Sequence, residues 1–235
     1  MNITDLYSTR IQKTFDEDNE EIVSILNTNL NKTLKLINYY EGLPLSYPAT
    51  VTAIERGIVD MDVKAEQAVS IEQSRSAFIR SPLFKHDVFA QAQYVNIKKH
   101  AVSFAKFSYV EIMAERRNFL RIALVPKPKT VIESPLGIIE GELYDISLSG
   151  VSVLIDHYCP LTVGTESTIR FVLRSVEQDT YIKVNVPATL INYKDDALPY
   201  KFIFSICPDK LLERQLSQYI FQRQIEIIKE IKEAV

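Results

Sequence analysis

The sequence has no tryptophan, two cysteines, three histidines and only six glycines in 235 residues. Each shortage removes a class of chemistry. Cys159 and Cys207 stand alone, with neither a CxxC pair nor a disulfide framework, which points to a reducing compartment, the cytoplasm. His86, His100 and His157 are scattered without HxH or HExxH spacing, so no metal site is expected. No GxSxG, Walker or GxGxxG loop occurs, and no enzyme is expected. The carboxylate pairs Asp60/Asp62 and Asp195/Asp196 fall in strand or turn contexts and read as solvated faces. Neither charge sign dominates: 27 Lys and Arg against 30 Asp and Glu give a net charge of −3. That balance opposes broad DNA or RNA binding, which needs a basic surface. A small anionic ligand needs only a local basic cluster. No apolar run approaches the roughly 20 residues of a membrane helix, so no membrane insertion is expected. The start, Met1-Asn2-Ile3-Thr4-Asp5, lacks the basic and apolar pattern of a signal peptide.

What remains is an ordinary globular composition, 46% hydrophobic and 24% charged, long enough for one or two domains. Residues 3–40 read as helical, because Ile22, Leu26, Leu30, Leu34 and Ile37 recur at three- and four-residue steps. The acidic run Asp16 to Glu21 suits a solvated helix start. Gly42-Leu43-Pro44 reads as the stop. Beyond it the period falls to two: Val59, Met61 and Val63, then Val88, Ala90, Ala92 and Tyr94. With turns at Glu55-Arg56-Gly57 and Asn96 to His100, this predicts an antiparallel sheet or barrel over about 48–111. A helix ahead of such a domain packs on its own barrel or pairs with a second copy as a homodimer; the pattern leaves both open.

From residue 116 onward the residues carry more chemistry. Arg116, Arg117 and Arg121 place three guanidiniums at the entry to an apolar run. Arg offers a two-pronged donor fork to phosphate oxygens and to the O6/N7 edge of guanine. Downstream, Asp145 and Ser147 lie two apart, which on a strand puts them on one face. Asp145 offers acceptors to guanine N1–H and N2–H, and Ser147 donates or accepts. Gly150 lets backbone approach a ligand where a side chain would block it. Strands are expected at 120–124, 129–134, 138–146 and 150–155. Later ones are centred on Ile169/Phe171/Leu173, Ile182/Val184/Val186 and Phe202/Phe204/Ile206. A last helix spans about 208–233.

Arg117-x-x-x-Arg121 followed by Asp145-x-Ser147-x-x-Gly150 resembles the paired RxxxR and (D/N)xSxxG motifs of the PilZ domain family, over roughly residues 113–233. RxxxR alone is common; the ordered pair is far more specific. The resemblance implies a six-stranded β-barrel with a C-terminal helix at 113–235. Ahead of it come an N-terminal helical segment at 1–42 and a β-rich, split-barrel-like domain at 43–112, similar to the flagellar-brake arrangement. The fold class is thus mainly β with flanking helices. It also implies a ligand, cyclic di-GMP, bound by Arg116, Arg117, Arg121, Asp145, Ser147 and Gly150, with no other cofactor. Binding would change the domain arrangement and regulate motility or biofilm formation through a protein partner in motility or secretion machinery. The alternative is a ligand-independent interaction module of pilus or motility machinery. One departure stands out: Ile203 occupies a place where the family often has glycine.

Overall fold

The structure, a computed structural model, describes residues 6–175 and 180–235. The chain forms two compact units, Met1–Asn118 with Ile227–Val235, and Phe119–Glu226.

The first unit contains β1 (Tyr7–Thr9), α1 (Phe15–Asn27), β2 (Thr33–Tyr40), β3 (Leu43–Glu55), β4 (Ile58–Asp62), α2 (Ala65–Ser74), β5 (Ser76–Arg80), β6 (Asp87–Asn96) and β7 (Ala101–Ile112). Strand β7 pairs with both β4 and β6, which closes β7-β4-β3-β2-β5-β6 into an antiparallel barrel; β1 adds to β7. Closure leaves no unpaired edge within the barrel. The interior is filled by Leu36, Val51, Met61, Ile79 and Phe104, and Ile22, Leu26, Ala68 and Ile71 bring the two helices onto the same core.

Residues 3–5 of the helix expected over 3–40 lie outside the described residues; among those described, the helix is only α1. Thr14 caps it: its hydroxyl accepts from the Glu17 backbone N–H at 3.2 Å, as an N-cap does, and donates to the Glu17 carboxylate at 2.9 Å. Asp18 is not solvated as expected. It is 1% exposed and accepts from the backbone N–H groups of Gln12 and Lys13. The helix ends before Asn29 and Asn31, the latter at φ 64°, a conformation Asn tolerates. Beyond it, Leu34 and Leu36 alternate with Lys35 along β2. Leu34 and Ile37 fit a three-residue step by coincidence of two strand faces. Glu41 and Gly42, both with positive φ, make the two-residue turn between Tyr40 and Leu43, as a type I′ hairpin needs. The stop at Gly42 is therefore a strand-to-strand turn. Arg56-Gly57 repeats the device between β3 and β4.

The second unit contains β8 (Ile122–Ala123), β9 (Lys129–Ser134), β10 (Gly137–Ile146), β11 (Gly150–Ile155), β12 (Glu166–Ser175), β13 (Thr180–Lys194) and β14 (Tyr200–Ile206). Helix α3 (Lys210–Glu233) follows. Pairing of β10 with β11 closes β10-β11-β14-β13-β12-β9 into a second six-stranded antiparallel barrel, and β8 lies along β10. Val151, Val153, Ile169, Leu173, Phe202 and Phe204 fill it, and Leu216 of α3 joins that core.

The strand expected at 120–124 is shorter. Only Ile122 and Ala123 pair, with Ile146 and Asp145, and Leu124 donates its N–H to the Tyr144 carbonyl at 3.0 Å. Ile122, Ala123 and Leu124 are all buried, so the expected two-face alternation does not hold. Ile203 is half-buried on the outer face with Lys201 and Ser205. The β11–β14 register runs unbroken from Gly150↔Ser205 to Ile155↔Tyr200. The barrel wall therefore closes without glycine at 203.

Candidate ligand-binding site

The second unit builds its site from the β10–β11 hairpin. A bulge between Leu143 and Asp145 shifts the register so that Asp145 faces Ser152. Strand β10 ends at Ile146, so Ser147 lies in the turn and not on the strand. The one-face argument for Asp145 and Ser147 fails there. The turn itself sets Ser147: its N–H donates to the Gly150 carbonyl at 2.8 Å and its hydroxyl to the same oxygen at 3.1 Å. The Ser149 carbonyl accepts from the Ile206 N–H at 3.0 Å, which pins the turn to β14.

Gly150 is required by space and not by backbone conformation. A Cβ there would lie 2.9 Å from the Phe204 carbonyl oxygen and 3.9 Å from an Arg121 guanidinium nitrogen. Backbone oxygen has nowhere to move in a closed wall.

Asp145 is fully buried. Its Oδ1 accepts from the Ser152 hydroxyl at 2.7 Å and lies 3.6 Å from Arg121 Nε. Its Oδ2 lies 3.4 Å from Lys201 Nζ. Two cations thus share one carboxylate. Neither contact is a full hydrogen bond: Arg121 Nε and Asp145 Oδ2 are both buried without a hydrogen-bond partner among the described residues. Lys201 Nζ also lies 4.4 Å from the centre of the Tyr144 ring, a cation–π contact. Lys127 lies 5.8 Å from the same ring.

Arg116 and Arg117 belong to the first unit. A single 3-10 turn over Met113–Arg116 follows β7. Arg116 pairs with Glu111, which also takes Arg10. Arg117 donates its N–H to the Ala114 carbonyl at 3.4 Å. Nearby, Arg80 is bidentate to both Asp87 and Glu115, at 2.6–3.0 Å. Burial, then the Glu115 charge, pushes the Tyr39 phenol up to about 12, against the opposing Arg117 and Arg80 guanidiniums.

Of the six residues singled out in the sequence, four come together in the second unit: Arg121, Asp145, Ser147 and Gly150. Sequence reasoning missed Ser152 and Lys201. Alternation put Lys201 on the outer face of its strand, but only the bulge and the strand order bring it to Asp145. Among the described residues no helix is long and apolar enough to cross a membrane.

No curated protein matches the chain. Among solved structures, the chain is similar to YcgR of Escherichia coli in complex with c-di-GMP (16% identity, 100% of both chains covered, TM-score 0.45). It is also similar to the Bacillus subtilis inhibitor of motility MotI/DgrA (13%, 84% of this chain and 97% of that one, TM-score 0.43). A third is the K. pneumonia MrkH–c-di-GMP complex (11%, 90% and 96%, TM-score 0.45). Residues 115–222, which hold both motifs, match the family model of the PilZ domain.

Proposed function

We propose that this protein is a receptor for cyclic di-GMP that acts by binding and catalyses nothing. Ligand would engage Arg116, Arg117 and Arg121 and the Asp145–Gly150 turn, alter the domain arrangement, and regulate motility or biofilm formation through a protein partner. The ligand class follows from the family. The observation that carries the reading onto this chain is the meeting of Arg121 with Asp145 and Gly150. The guanidinium is 3.6 Å from the carboxylate and beside a glycine that a Cβ would overfill. Its Nε is buried with no hydrogen-bond partner among the described residues, a cost that an added acceptor relieves.

Within this reading Asp145 first orients Arg121, and Ser147 shapes the turn. For either to bond a guanine edge, the Ser152–Asp145 or Ser147–Gly150 bond must exchange for one to ligand. That exchange distinguishes bases, since a site fitted to guanine leaves polar groups unpaired against adenine, at several kcal/mol.

Calorimetric titration tests the proposal. Cyclic di-GMP is expected to bind the full chain and cyclic di-AMP to bind far more weakly. Charge-assisted hydrogen bonds contribute about 1.5–3 kcal/mol each, so Arg117→Ala and Arg121→Ala should each weaken binding about 10- to 100-fold. Arg223→Ala on α3 removes the same charge outside both motifs and should change affinity little. Full affinity in folded Arg117→Ala and Arg121→Ala proteins would leave the interaction-module reading in its place.

A further inference from the structure

We propose that Ser152 is a positioning residue of the ligand site: its hydroxyl sets the Asp145 carboxylate and, through it, the Arg121 guanidinium that receives the dinucleotide. The inference rests on the receptor reading above and names a residue outside both of its motifs.

The first observation is where this serine stands. Val151 and Val153 belong to the barrel core, so Ser152, between them on β11, points to the outer face. An outward serine is ordinarily wet, yet Ser152 is 0% exposed. The bulge in β10 explains what it meets. Leu143 faces Val153, and Asp145, not Tyr144, faces Ser152. Tyr144 is the extra residue of the bulge, and the bend turns the carboxylate onto the serine.

The second is what holds Asp145. A fully buried carboxylate needs hydrogen bonds to offset its lost hydration. The Ser152 hydroxyl donates to Oδ1 at 2.7 Å, an ordinary short bond. Arg121 Nε lies 3.6 Å from that same oxygen, beyond hydrogen-bond reach. Lys201 Nζ lies 3.4 Å from the other oxygen, Oδ2, so Oδ1 is where serine and arginine meet. By engaging Oδ1, the serine fixes the rotation of the carboxylate and keeps it from closing on Arg121.

The third is where Arg121 lies. Gly150 and Ser152 are two apart on β11 and share its outer face. A Cβ on Gly150 would lie 3.9 Å from Arg121 Nη2, while Nε stands beside Asp145. The guanidinium is thus set between the glycine and the Asp145–Ser152 pair, with its Nε buried and no hydrogen-bond partner for it among the described residues. Without the serine hydroxyl, Oδ1 is free to swing onto that Nε. A direct carboxylate–guanidinium bond would then draw Arg121 inward, away from ligand.

The test is calorimetric titration of the full chain with cyclic di-GMP, for wild type, Ser152→Ala, Ser152→Thr, Asp145→Ala and the double variant Asp145→Ala/Ser152→Ala. Ser152→Ala should weaken binding about 3- to 10-fold, the worth of one hydrogen bond. Ser152→Thr keeps the hydroxyl and should bind close to wild type. With Asp145 already removed the serine has nothing to position, so Ser152→Ala should cost nothing further in that background. Wild-type affinity in Ser152→Ala overturns the proposal. So does a loss that persists undiminished in the Asp145→Ala background, which is the mark of a residue that supports the wall or touches ligand by itself. Arginine Nε–H NMR of the free protein adds a readout that a wall-building role would not move. Ser152→Ala should shift the Arg121 resonance and Ser152→Thr should return it; an unshifted resonance also overturns the proposal. If wild type binds no cyclic di-GMP, the receptor reading itself fails, an outcome distinct from a wild type that binds and a Ser152→Ala that matches it. Thermal melts without ligand accompany each variant. Should Ser152→Ala not fold, Ser152→Cys, which keeps the volume and only a weak S–H donor, takes its place in every arm.

Discussion

Gly150 separates two reasons for a glycine. Its φ is not in the left-handed region, so an alanine would suffer no backbone strain. The obstacle is the Phe204 carbonyl oxygen, 2.9 Å from any added Cβ, in a wall whose strands are paired on both sides. Gly150→Ala must push β11 from β14, and overpacking of this kind costs about 1–3 kcal/mol. The variant should melt several degrees lower and also bind cyclic di-GMP more weakly, because pushing β11 from β14 moves the turn that holds Ser147. A denaturant midpoint equal to wild type would show that the wall yields. The glycine was legible in the sequence as a steric requirement, and so were Arg121 and Asp145. Lys201 and Ser152 were not, because their place depends on a bulge at Leu143/Asp145 that no residue pattern announces.

At the scale of elements, periodicity succeeded where one face is wet. Strand β9 was legible to the residue, and β6, β10 and β14 nearly so, because apolar and polar residues alternate; β11 was read at its bounds although five of its six residues are buried. Periodicity failed at β5 and α2. Ser76 to Ile79 of β5 are all buried and show no alternation to read. Helix α2 also went unread: its inner face includes Gln67 and Ser70, both fully buried, so its polar residues disguise its core side. Helix α1 is tied to β7 by polar groups as well as by Ile22 and Leu26. Asn19 accepts from the Phe107 N–H at 2.8 Å, and Glu21 from the Tyr109 hydroxyl at 3.1 Å. Burial first, and this bond second, push the Tyr109 phenol up to about 12 from its ordinary value of 10. The protonated phenol is the form the fold favours. Its contribution is therefore fully present below about pH 10 and is lost as pH rises through about 12. Denaturant unfolding of wild type should show stability falling across that window. In Tyr109→Phe, which has no phenol to ionise, the fall should be shallower. Parallel pH profiles for the two proteins would remove the α1–β7 bond from the account.

The whole molecule is two closed antiparallel barrels on one chain. Each has its own core, so each can keep its internal register while a ligand acts on the connection. Along the sequence, Arg116 and Arg117 precede the change of unit at Asn118/Phe119, and Arg121 follows it. The segment has no Gly/Ser-rich stretch to decouple the two ends. In the proposed function, phosphate and guanine groups taken up by these arginines replace surface ion pairs such as Arg116–Glu111. Exposed pairs of that kind contribute about 0–1 kcal/mol, less than charge-assisted bonds to a phosphate, so exchange favours the ligand. On the proposed function, fixing three side chains on so short a connection would restrict its backbone, and local ordering of this sort would become rigid-body rotation of the domains. Small-angle scattering of the full chain, free and saturated with cyclic di-GMP, should therefore give different profiles, while circular dichroism of the strands stays unchanged. Glu111→Gln should shift the binding curve but not the bound profile, because it weakens the Arg116 and Arg10 pairs and removes no group proposed to touch ligand. Superimposable profiles at saturation would remove the rearrangement and leave a receptor that signals through its ligand-covered surface alone.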